Sequence, residues 1–137
     1  MKLQFNLGVF TLIAFTLVAA STFGPSVANA LTAVQPAPGL ACMSLDSQAL
    51  QTMQQSDLPP VLSAPNPSAA RLGYPSAIVF VKWPLVQQSG YTEMERLNGQ
   101  TGWIATNRLT TWHPLNGGNA RCVPAIMSNG RLGTSIH

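Results

Sequence analysis

Charge is scarce in this chain. Of 137 residues, 7 are Lys or Arg and 4 are Asp or Glu, a charged fraction of 8% where roughly 25% is usual for a soluble protein. A solvated disordered chain needs high net charge and little apolar content, so that class is excluded. The net charge of +3 comes from scattered residues, and a nucleic-acid surface needs Lys and Arg in clusters; no nucleic-acid partner is expected. Histidine is limited to His113 and His137 and cysteine to Cys42 and Cys122. No pair among them has the close spacing of a zinc site, so neither metal nor cofactor is expected. Only one apolar run is long, Leu7 to Ala20, and it falls short of the roughly 20 residues that span a bilayer.

What the chain does have is hydrophobic residues, 46% of the total, unevenly placed. Lys2 precedes the apolar run, Pro25 breaks it, and Ala28-Asn29-Ala30 sets small residues at the −3 and −1 positions. That is the layout of a secretory signal peptide, residues 1–30, cleaved after Ala30. Two alternatives fit the run less well. A membrane anchor would need a longer run, and a lipoprotein acylated at Cys42 would need that cysteine closer to it. The expected product is an exported protein, periplasmic or extracellular, with no stable membrane insertion. Removing 30 of 137 residues leaves 107, a domain whose modest core benefits from a covalent staple. Export puts Cys42 and Cys122 in an oxidising compartment, where two cysteines allow one intrachain disulfide.

Residues 31–57 read as a Pro-rich flexible lead-in followed by a short helix over about 46–55, with Asp46 as its cap and Pro59-Pro60 beyond its end. Strand signals begin at Val61. Val61 to Ala64 is short and apolar. Ala77 to Trp83 is β-branched and aromatic between Pro75 and Pro84. Tyr91 to Leu97 leads into Asn98-Gly99, a two-residue hairpin signal, with Trp103 to Ala105 returning and Thr110 to Trp112 closing. In the tail, residues 114–137, Cys122 to Met127 reads as an edge strand, where Pro124 is tolerated.

The stretch Gly90-Tyr91, Met94, then Gly99-Gln100-Thr101-Gly102-Trp103-Ile104 resembles the bacterial SH3 (SH3b) domains, which read Gly-aromatic-x-x-hydrophobic, a hairpin, then Gly-x-x-Gly-Trp-hydrophobic. Gly99, Gly102, Trp103 and Ile104 carry the motif. The resemblance covers residues 58–113, with Leu109 and Trp112 where the family closes its barrel and Val61 to Ala64 as the opening strand. Tyr91 stands where Trp is frequent. The resemblance implies a mostly β fold, a small five-stranded SH3-like barrel, here with a short N-terminal helix and a C-terminal extension tied across it by the disulfide as one cover. It also implies a binding module, with peptidoglycan as the usual target.

All six aromatics after residue 30 lie between Tyr74 and Trp112. Flat rings bind extended peptides at low entropic cost, so Tyr74, Trp83, Tyr91 and Trp112 are the candidate binding residues, with Arg108 as partner for a ligand carboxylate. Trp83, before Pro84, is expected to be exposed; Phe80 and Trp103 are expected in the core. Catalysis has little to draw on. Neither histidine has an oriented partner in sequence, and Glu93 with Glu95 sits at i, i+2 on one strand face, the pattern of a solvated surface. A non-catalytic exported monomer is therefore expected, binding a cell-wall peptide or, alternatively, acting as an inhibitor or accessory of an envelope protein through its aromatic face or the Asn129-Gly130-Arg131 turn.

Overall fold

Asp46, a residue that favours the first position before a helix, takes an extended backbone and accepts a hydrogen bond from the Ala49 N–H at 2.8 Å. The helix it starts is α1, Ser47–Thr52, ended at Met53 in the left-handed region, and so shorter than the expected 46–55. The rest of the regular structure is strand, apart from one 3-10 turn. The computed structural model describes residues 29–137, of which 42% lie in strands and 8% in helices. The signal peptide expected over residues 1–30 lies outside the described residues but for its last two.

In chain order the strands are β1 (Ala33–Pro36), β2 (Leu40–Leu45), β3 (Val61–Leu62), β4 (Arg71–Gly73), β5 (Ile78–Lys82), β6 (Gln87–Gln88), β7 (Tyr91–Glu95), β8 (Thr101–Ala105), β9 (Leu109–Thr111), β10 (Cys122–Met127) and β11 (Leu132–Ile136), with a 3-10 turn at Thr106–Arg108. They form two sheets. The larger has the order β4-β3-β8-β7-β5-β2-β9, with β6 paired to β7; the smaller is β1-β10-β11. The larger sheet is open, with β4 and β9 at its ends, which corrects the expected five-stranded barrel.

The added strands come from segments read as linker or flank. The lead-in is not flexible: β1 pairs with β10 (Pro36 opposite Ala125), and β2 runs between β5 and β9 (Cys42 opposite Phe80, Met43 opposite Thr111). Between them the chain turns at Pro38-Gly39, where Gly39 has φ +75°, a conformation glycine adopts without a Cβ penalty. Val61 to Ala64 likewise shrinks to the two residues of β3, which pair with β4 and β8 inside the long excursion between β2 and β5. The place beside β5 and β9 that an opening strand would take is filled by β2.

Strand β10 is central in the smaller sheet, not an edge. Pro124 fits because the β10–β11 bonds fall on odd-numbered residues: Arg121 and His137 exchange both N–H···O bonds, and the Met127 N–H donates to the Arg131 carbonyl. The missing Pro124 N–H therefore faces the β1 side, just past its last residue Pro36, where the Pro124 carbonyl still accepts from the Ala37 N–H at 2.9 Å. The hairpin also differs from expectation. The Arg96 N–H donates to the Gln100 carbonyl at 2.8 Å, leaving Leu97-Asn98-Gly99 as a three-residue loop with Gly99 at φ +82°.

The core follows from period-two alternation. In β7, Thr92 and Met94 point inward; in β8, Gly102 and Ile104 do. Met94 and Ile104 pack in one cluster with Leu45, Val61, Val79, Val81 and Ala49 of α1. Thr92, the one buried polar side chain among the described residues, shares a hydrogen bond with the Thr106 hydroxyl at 2.8 Å. The Cys42–Cys122 disulfide joins mid-β2 to the start of β10, with Cα atoms 6.1 Å apart, inside the usual range. The flanks thus do not form one cover: α1 lies against the larger sheet's core, Cys42 belongs to that sheet, and the disulfide ties it to a second sheet.

Candidate functional site

A groove of about 570 Å³ opens over the disulfide, between the two sheets. Leu40, Ala41 and Cys42 of β2 and Cys122, Val123 and Pro124 of β10 line one part of it; Trp83, the Trp112-His113-Pro114 segment and Ala120-Arg121 line the rest. Each tryptophan is there for a local reason. Strand β5 stops at Lys82 because Pro84 has no N–H to continue the ladder, and the Trp83 N–H is tied back to the Gly39 carbonyl at 3.0 Å. Trp112 is the first residue past β9, where the chain leaves the sheet toward Pro114. Trp83 is 60% exposed; Trp112 is half-buried, as is Trp103.

The five candidate residues do not share one surface. Trp83 and Trp112 meet at this groove. Tyr74, 38% exposed, and Arg108 line a separate hollow of about 500 Å³ with Pro59, Pro60, Arg71 and Asn107. Tyr91 is half-buried at the start of β7, opposite Ala105 and Gln88, and lines neither.

Arg108 is engaged within the fold. Its Nε donates to Asp46 Oδ2, and Nη2 donates to the Asp57 carbonyl at 2.7 Å. The Arg108 hydrogen bond, and after it the Ala49 N–H, holds the Asp46 carboxyl below its ordinary value. A guanidinium so committed is not the free carboxylate partner expected of it. The cation at the tryptophan groove is instead Arg121, exposed and lining it, which sequence reasoning passed over; the available signal was its place directly before Cys122.

The motif residues act in packing. Gly102 is buried where any Cβ would collide with Val61 Cγ1, and Ile104 is fully buried beside it. Phe80 is buried, and Trp103 sits on the opposite face of β8 from the core, opposite Leu62 on one side and Glu93 on the other. Glu95 is paired with Lys82 at 3.0 Å. His113 lines the groove at its exposed end, while His137 Nε2 lies 2.8 Å from Ser135 Oγ, away from it. Among the described residues no three His, Cys, Asp or Glu side chains cluster to hold a metal ion, and no helix is long and apolar enough to cross a membrane.

Comparison with family models finds no match, and comparisons with curated proteins and with solved structures find none.

Proposed function

We propose that this chain is a non-catalytic, exported SH3b-like module that binds a peptide or cell-wall (peptidoglycan) component in the cell envelope, through the groove between Trp83 and Trp112. The observation that carries this is the exposure of Trp83 at a groove that Trp112 and the disulfide also line. A large ring held at the mouth of an apolar groove is costly to leave in water and is typical of binding hot spots. The finer fold reading draws support from strand order. The β5-β7-β8 meander, the 3-10 turn and β9 pairing with β2 are compatible with the hairpin and closing strand that the SH3b resemblance implies. The disulfide is compatible with export to the periplasm or beyond.

The test is retention on purified, insoluble peptidoglycan. The chain lacking residues 1–30 is expected to be retained, and Trp83→Ala to be lost to the supernatant while staying folded. Absence of retention for the unaltered protein overturns the cell-wall reading.

One observation favours a second reading, an inhibitor or accessory that binds an envelope protein. Leu85 and Val86, 41% and 42% exposed, extend the apolar surface beyond Trp83 outside the groove, a broader patch than a slender peptide needs. A stoichiometric protein co-purifying from envelope extracts, released by Leu85→Asp, supports that reading.

A further inference from the structure

The ionisable side chains at the tryptophan groove are of one kind. Arg121 and His113 line it, and no Asp or Glu does. Arg121 is joined to the fold only through its main chain, which exchanges hydrogen bonds with His137 at 2.7 and 3.1 Å. Its guanidinium makes no ion pair among the described residues, whose two salt bridges are Lys82–Glu95 and Arg108–Asp46. A planar cation with its donors unspent, next to an apolar slot, fits a carboxylate on a ligand whose body lies between the rings.

The backbone adds a direction. Strand β9 accompanies β2 only from Met43 to Leu45, whereas β5 accompanies it from Leu40 to Ser44. Leu40, Ala41 and Cys42 therefore have a strand partner on one side and line the groove. An extended chain lying there gains strand-like hydrogen bonding where β9 has stopped. The groove volume, about 570 Å³, holds a few residues.

We propose that the groove recognises an extended peptide bearing a free carboxylate, with Arg121 as the carboxylate-binding residue and Trp83 and Trp112 holding the peptide's apolar portion. This rests on the reading of the groove as a binding site and adds the ligand's charge and the residue that reads it.

The test uses two alanine-rich pentapeptides of the same sequence, one ending in a free carboxylate and one in an amide, titrated into the protein lacking residues 1–30. Binding is read from the indole N–H signals of Trp83 and Trp112. The acid is expected to bind about tenfold more tightly than the amide, and Arg121→Gln to bring the two to equal affinity. Arg121 is exposed, so the substituted protein keeps the fold. A readout that needs no variant is salt: 1 M salt is expected to weaken the acid and leave the amide unchanged. Equal binding of acid and amide, or a preference that survives Arg121→Gln, overturns the proposal. If neither peptide moves the indole signals the proposal also fails. Trp83-dependent retention on peptidoglycan then keeps the groove as a binding site, and loss of that retention as well removes both.

Discussion

Arg108 reaches back across 62 residues to the carboxylate of Asp46, the same group that caps helix α1. One side chain thus starts the helix and fastens it to the 3-10 turn before β9. The contact is partly buried, with 29% and 22% of the two side chains exposed. Because Arg108 and then the Ala49 N–H depress the Asp46 carboxyl below its ordinary 3.8, the folded state keeps its charge to lower pH than the unfolded chain does. The resulting stability is fully present above the unfolded value and is lost as pH falls through the folded one. The unfolding free energy is expected to decline on acidification from about pH 4 downward. Asp46→Asn keeps a capping oxygen but removes the charge. It is expected to cost about 1 kcal/mol at neutral pH and to flatten that acid limb, as followed by urea titrations at a series of pH values.

The disulfide closes a separation of 80 residues, so its removal frees a long loop in the unfolded chain. Cys42→Ser with Cys122→Ser is expected to lower stability by about 4–5 kcal/mol. Reductant should destabilise the unaltered protein by a similar amount and leave the double variant's denaturant midpoint unmoved. Equal midpoints for oxidised and reduced protein would refute the staple.

Gly102 and Gly99 differ in what they resist. At Gly102 the obstacle is Val61 Cγ1 in the core; at Gly99 it is the backbone, at φ +82° in a loop where a Cβ meets nothing closer than Glu95 Oε1 at 3.9 Å. Gly102→Ala is expected to cost about 1–3 kcal/mol through overpacking and Gly99→Ala about 1 kcal/mol through strain. Val61→Ala should rescue only the former. Thermal melts of the singles and the Gly102/Val61 pair measure this.

Of the three tryptophans, Trp83 is the exposed one. Trp83→Phe is expected to shift the emission maximum to the blue by removing the most solvated ring, whereas Trp103→Phe should not. Trp83→Ala is expected to change stability by no more than about 0.5 kcal/mol, so any loss of binding it causes is not unfolding in disguise. A large drop in melting temperature would count against a surface role.

The parts legible in the sequence were those with a local cause. Ile78 to Lys82 announces a strand through β-branched residues between prolines, Pro84 leaves Trp83 at a strand end, and two cysteines admit one intrachain pairing. Strand β2 carried its own signal, since Ala41, Met43 and Leu45 alternate toward the core. Pro36 and Pro38 beside it masked that signal, because proline reads as linker when its pairing partner is unknown. The partners are distant: Met43 faces Thr111, and Ala33 faces Met127. No local pattern encodes such contacts. The same distance hid the engagement of Arg108 by Asp46, and with it the availability of Arg121. The gathering of Trp83 and Trp112 at one groove depends on the disulfide-linked approach of two sheets, which no spacing in the chain discloses.

Strand β1 has a temporal consequence. Ala33 emerges from synthesis almost a hundred residues ahead of Met127, its partner. The meander of β5, β7 and β8 needs only neighbours and can close early, and β2 can join it through β5, but β1 stays unpaired until β10 has been made. Loop closure of that length slows folding. A version stopped before Cys122 would leave β1 without its ladder and Cys42 as an open thiol.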